Sequence, residues 1–250
     1  MDARLILVFL LSVAIANSAF GFDHGQWDSL LKKNVVVLEG GKASQFRYRE
    51  VDRLALQSYL KTLSGVSEKE FKGWSQEEQK AFLINAYNAF TVEKILTRYP
   101  DIGSIWDFGK IFGNPFKDEF FTLLGRKMSL DAIEHGTLRK SYREPRVHYA
   151  LNCASVSCPM LREEAYVAAR LERQLEEQAV RFLSDRSRNR FHDGRLEVSK
   201  IFDWFKEDFE PRQAYFARYA KLLGTPGGEV PLTFLDYDWS LNDSRSSSRR

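Results

Sequence analysis

The stretch SQEEQKAFLINAYNAFTVEKILTRYP, from Ser75 to Pro100, constrains the fold more than any other part of the chain. Ser75, with Glu78 three residues on, makes a capping box that opens a helix, and Pro100 ends it because proline cannot continue the hydrogen-bond ladder. Ala81, Phe82, Ile84, Ala86, Phe90, Val92 and Ile95 spread apolar surface over more than one face of this helix. A helix apolar on several faces must be covered on several faces, so this segment marks the centre of the core. Asn85 and Asn88 lie on one face of it, three residues apart. A buried amide costs free energy unless it is hydrogen-bonded. The pair therefore either ties down neighbouring backbone or lines a cleft and orients a substrate or a catalytic group, and Tyr87 fits both roles.

Around this helix the pattern predicts short elements. A first helix falls near Trp27 to Lys32, and a second begins near Tyr48 and runs through LALQSYLKTL. Phe120 to Leu124, Gly125-Arg126 and Lys127-Met128 read as a hairpin leading into a helix, LDAIEHGTLRK, capped by Ser129. His148 to Leu151 reads as a buried strand, and Pro159 as the first turn of a helix that continues into the amphipathic stretch from Ala168 to Asp185. Asp193-Gly194 is a hairpin turn between two short strands, and VPLTFLDYDWSLN a final strand. Helices first, then strands interspersed with helices, predict an α+β fold, mainly helical, with short and mostly antiparallel strands in a single domain over 22–243. The acidic patch from Asp208 to Glu210 needs to be no more than a solvated face.

The opening residues MDARLILVFLLSVAIANSAFGF read as a secretory signal peptide over 1–21: Arg4 precedes an apolar run too short to span a bilayer, and Ala19-Phe20-Gly21 offers small side chains at a cleavage site. The expected location is the periplasm or the exterior. No second apolar stretch is long enough for an integral membrane span. The formal charge is +3, and Arg245, Arg249 and Arg250 sit in a basic tail over 244–250 that reads as disordered, so the body of the chain makes no case for nucleic acid.

Chemistry concentrates in HYALNCASVSCP, from His148 to Pro159, which holds both cysteines, Cys153 and Cys158. In an oxidising compartment the pair can form a disulfide. As a nucleophile, a thiol needs a lowered pKa and a base within reach. Cys158, ahead of a predicted helix start, and Cys153, at the end of the predicted strand, both qualify, with His148 or His135 as the base and Glu134 as its orienting partner. His148 and Cys153 lie at an odd separation, which in a strand puts them on opposite faces. Glu134 and His135, adjacent on a helix, point about 100° apart, so both cannot face one ligand squarely. Metal binding is a poor match, because the cysteine and histidine spacings are long for tetrahedral zinc, and no glycine-rich phosphate loop is present; no cofactor is implied.

AFLINAYNAFTV at 81–92, SLDAIEHGTLR at 129–139, PRVHYALNCASVSCPMLREEAY at 145–166, LERQLEEQAVRFL at 171–183 and LDYDWSLN at 235–242 resemble, in order, the blocks of the family known as domain of unknown function 547, with exported bacterial members. The resemblance implies that Asn88, Glu134, His135, Arg139, Arg146, His148, Cys153 and Cys158 belong to a family pattern, and by analogy a distant papain- or transglutaminase-like plan. Two functions follow as expectations. One is a Cys-His hydrolase or transferase acting on an amide or thioester of the cell envelope, with Arg139 and Arg146 holding a substrate carboxylate. The other is a non-catalytic binding or structural domain, its cysteines bridged, whose polar cleft takes a peptide, a glycan or a small anion.

Overall fold

The structure, a computed structural model, describes residues 21–109, 113–226 and 228–244. The leader over 1–20 and the basic end over 245–250 lie outside the described residues. In chain order the helices are α1 (Gly25–Asn34), α2 (Arg53–Gly65), α3 (Glu68–Lys72), α4 (Gln76–Leu96), α5 (Leu130–Ile133), α6 (Arg139–Ser141), α7 (Val147–Ala150), α8 (Leu171–Leu183), α9 (Ile201–Trp204), α10 (Arg212–Arg218) and α11 (Ala220–Leu223). A π-helical turn, Glu134–Leu138, joins α5 to α6.

The strands are β1 (Val35–Val37), β2 (Ser44–Phe46), β3 (Phe121–Leu123), β4 (Arg126–Met128), β5 (Arg190–His192), β6 (Arg195–Val198) and β7 (Leu232–Phe234). They form antiparallel pairs β1-β2 and β3-β4 and a small sheet β5-β6-β7, in which only β6-β7 is parallel. The fold is mixed α+β, mostly helical, with short and largely antiparallel strands. No described helix is long and apolar enough to cross a membrane.

Helix α4 begins as its sequence requires. The Ser75 hydroxyl accepts from the Glu78 N–H, the Glu78 carboxylate accepts from the Ser75 N–H, and two orphan donors are satisfied at once. Every residue from Ala81 to Val92 is buried. Two apolar clusters result. One is built around α4 with Trp27, Tyr59, Leu63, Leu123 and Leu130. The other joins α8, β6, α9 and α10 through Phe182, Leu196, Phe202 and Phe216, with Tyr149 buried among them.

Three predicted elements differ. His148 sits in the short helix α7, not in a strand: a four-residue apolar run carries no usable period, and Pro145 and Arg146 provide the carbonyls that accept the His148 and Tyr149 N–H groups in a helical turn. The helix predicted from Pro159 begins only at Ala168, as a 3-10 turn leading into α8. Residues 159–167 stay non-helical, with a bend at Glu163 and Glu164, because side chains from elsewhere take their backbone groups. The amides of Asn152, Gln178 and Gln174 donate to the carbonyls of Pro159, Met160 and Ala165, and the Ser44 hydroxyl to that of Leu161. Asn85 both donates to and accepts from Tyr166. The final strand shrinks to Leu232–Phe234, and residues 237–242 run across the cysteine loop instead. There Val156 and Ser157 donate to the carbonyls of Ser240 and Asp238, and Asn242 donates to that of Ala154.

Candidate functional site

A cleft of about 450 Å³ opens where the two apolar clusters meet. One wall comes from the helices of the chain's middle: Tyr87 of α4, Asp131 of α5, Glu134 and His135 of the π-turn, and His148 of α7. Opposite stand Ile201 and Trp204 of α9 with Phe205, and Cys153 and Cys158 lie in the cleft wall beside Tyr237. The rim is aromatic. Trp239 stacks on Trp204 at 5.6 Å, meets Trp106 edge-on at 5.4 Å and packs on Tyr237 at 4.6 Å.

Glu134 and His135 both line this cleft, but they point in different directions. The π-turn adds a residue to the helical repeat just there, and such turns often accompany functional sites. Glu134 points inward, with its carboxylate 3.5 Å from His148 Nδ1 and accepting from the phenol of the fully buried Tyr87. His135 points outward, and its Nδ1 accepts from an Arg139 guanidinium N–H at 2.6 Å.

His148 is almost fully buried and its ring stacks on Phe205 at 4.1 Å. Its Nε2 lies 2.6 Å from Asp208 Oδ2, so both ring nitrogens face carboxylates. Burial works against a charged imidazole here. The hydrogen bonds and charges of Asp208 and Glu134 outweigh it and hold His148 above its ordinary value. Asp208 answers in the opposite sense: burial pushes its carboxyl up, but hydrogen bonds from His148 and Arg139 hold it well below the usual carboxylate range. Arg139 grips Asp208 with two donors and lies over the face of Phe205, 5.0 Å from its centroid. A continuous chain thus runs from Tyr87 through Glu134, His148 and Asp208 to Arg139 and His135.

Cys153 and Cys158 are free thiols with their sulfurs 2.6 Å apart. The loop between them turns on Ala154, whose φ of 62° is left-handed, and on Asn152, whose side-chain oxygen accepts from the Ala154 N–H. Cys158 has no helix N-terminus beside it, since residues 159–167 are not helical. The Cys153 sulfur instead meets the hydroxyls of Ser155 at 3.1 Å and Tyr237 at 3.4 Å. Burial opposes its ionisation, but hydrogen bonds from Cys158, Ser155 and Tyr237 bring Cys153 below the ordinary thiol value; burial and the neighbouring sulfur push Cys158 up. The thiol of Cys153 is paired with Cys158, Ser155 and Tyr237, and none of these is a histidine.

Of the other predicted residues, Asn88 holds the backbone just before Cys153: it donates to the Ala150 carbonyl and accepts from the Asn152 N–H. Asn85 holds Tyr166. Neither amide lines the cleft. Arg146 lies on the α8 side, clasped by Glu144, Glu172 and Glu176, and also lies outside the cleft lining. Asp208, Ser155, Tyr237, Trp204 and Trp239 are site residues that a reading of local motifs does not single out. Asp208 lies 60 residues from His148, and only the pairing of a buried histidine with some distant acid could have pointed to it. Among the described residues, no three His, Cys, Asp or Glu side chains are grouped so as to hold a metal ion.

No curated protein and no solved structure matches the chain. Residues 71–183, which carry Tyr87, Glu134, His135, His148 and both cysteines, match the family model described as "Protein of unknown function, DUF547", and that match supports placing this stretch in the family.

Proposed function

We infer that this chain is a binding domain whose aromatic-walled cleft holds a neutral glycan segment. The observation that carries the reading is that His148 faces acids on both sides, with Nε2 hydrogen-bonded to Asp208 at 2.6 Å and Nδ1 3.5 Å from Glu134, so neither ring nitrogen is aimed at a thiol. What is left to act on a ligand is a cleft of small-molecule size with indole and phenol faces on its rim, the carboxylates of Asp131 and Glu134 inside and the His135 imidazole at its edge. Aromatic faces suit the apolar faces of sugar rings, and carboxylates and imidazole suit their hydroxyls.

An anion is disfavoured, because Asp131 and Glu134 face the cleft while the guanidiniums of Arg139 and Arg146 are spent on Asp208 and on Glu144 and Glu172. An extended peptide has no sheet edge to join, since no strand lines the cleft among the described residues. The periplasmic or secreted location expected from the leader belongs to this proposal, and so does a cell-envelope glycan as its source.

Titration of the full chain, followed by tryptophan fluorescence, distinguishes these ligands. Neutral oligosaccharides are expected to saturate the signal, with affinity about tenfold weaker in Trp204→Ala, as loss of one stacking surface implies. Saturation by an acidic peptide alone, with no response to sugars, would sink the reading.

The second reading, a Cys-His hydrolase or transferase of amides or thioesters on a papain- or transglutaminase-like plan, is favoured by one observation, that Cys153 and His148 line the same cleft. For it to operate, His148 would have to leave Asp208 or Glu134.

A further inference from the structure

The two sulfurs differ in setting although they touch. Cys153 is the more accessible, 9% exposed against 4% for Cys158, and both line the open cleft. The Ser155 hydroxyl meets the Cys153 sulfur at 3.1 Å, and the Tyr237 hydroxyl lies 3.4 Å from Cys153 while also within reach of Cys158. Tyr237 stays protonated, its phenol pushed far up by burial and by the sulfurs, and so remains a donor to a charged sulfur. Behind both sits Cys158, 2.6 Å from its neighbour and five residues along a loop pinned at Ala154, Val156 and Ser157 to the segment 238–242. Structural cysteines are normally sealed in apolar surroundings. This pair instead lies in the wall of an open cleft, with the less deeply buried Cys153 sulfur in contact with polar hydroxyls and with a second thiol.

We propose that Cys153 and Cys158 form a thiol-disulfide exchange site that accepts an organic disulfide through the cleft, with Cys153 as the attacking sulfur and Cys158 as the resolving one. In the first step the Cys153 thiolate attacks one sulfur of the incoming disulfide; a bond forms between them, the incoming S–S bond breaks, and the departing thiolate takes up the proton that Cys153 released. In the second step Cys158 loses its proton and attacks Cys153 Sγ. The Cys153–Cys158 bond forms, the mixed disulfide breaks, and the second departing thiolate takes up that proton. Two thiols of the protein are oxidised and one disulfide is reduced to two thiols. The hydroxyls of Ser155 and Tyr237 stabilise the thiolate of the first step. This activity does not depend on what else the cleft binds.

Bis(2-hydroxyethyl) disulfide, a small neutral disulfide suited to the acidic cleft, is the probe, added to the reduced, folded full-length protein. Mass spectrometry is expected to show loss of two hydrogens and no lasting adduct in the wild type, and an accumulating 2-hydroxyethylthio adduct on Cys153 in Cys158→Ser. Cys153→Ser is expected to react about tenfold more slowly. Because serine can unsettle the loop, rapid quenching and peptide mapping of the wild type supply a second measurement, in which the first adduct is expected on Cys153. A stable adduct on wild-type protein, a first adduct on Cys158, equal rates in the two variants, or no reaction of the folded wild type would each overturn the proposal.

Discussion

His148 shows how one residue's neighbours decide its chemistry. A histidine near a cysteine invites a catalytic reading, and the sequence supports that much, because His148, Cys153 and Cys158 lie within one short motif. Its acidic partners count against that reading, and they were legible only in part. Glu134 belongs to a quoted motif, whereas Asp208 comes from a segment that reads as a solvated face and gains its role only when the chain returns 60 residues later. Asn88 is the reverse case. Its burial was legible from the helix that bears it, and the structure places it at the backbone before Cys153 as a two-way tie to Ala150 and Asn152. Removing both bonds while leaving a buried carbonyl and N–H unpaired is costly, so Asn88→Ala is expected to lower stability by about 2 to 4 kcal/mol, read by urea unfolding. A loss below about 1 kcal/mol would mean that the loop holds its shape without this tie.

At the scale of elements, the features that held were those written in local chemistry. The capping box of α4, the Ser129 cap of α5 and the hairpins β3-β4 and β5-β6 each need only a few adjacent residues. Ser75→Ala is accordingly expected to cost about 1 kcal/mol, seen as a lower urea midpoint with an unchanged slope; an unchanged midpoint would show that the packing of α4 carries its start unaided. The elements that differed were those overruled from a distance. Residues 159–167 have a sequence that reads as helix, yet Asn85, Asn152, Gln174 and Gln178 supply hydrogen bonds that hold it out of the helix. Nothing in the local pattern announces a competitor 81 residues upstream. The π-turn is equally silent in the periodicity, and it is what brings Glu134 and His135 to one cleft.

Across the whole molecule, the ion chain through His148 ties together parts that the sequence keeps far apart: the π-turn after α5, the short helix α7, and the segment after α9 that carries Asp208. Its charge state therefore bears on global stability. The folded value of His148 lies above the ordinary imidazole value of about 6.5. The charge thus contributes its full stabilisation below that pH and loses it as pH climbs through the raised folded value. Urea unfolding at pH 6 and pH 9 is expected to show a fall in wild-type stability that His148→Gln lacks, with the variant less stable by about 1 to 2 kcal/mol at pH 6 because it removes the charged partner of two partly buried acids. The position of the His148 ring between Glu134 and Asp208 favours binding over deprotonation of a thiol as the work of the cleft. Nitrogen-15 NMR of the histidine side chains in the intact chain, followed from pH 5 to 9, tests that most directly. His148 is expected to keep two protonated ring nitrogens above the ordinary imidazole value. A ring that is neutral at pH 7, with one nitrogen bare, would contradict it and return His148 to service as the base for Cys153.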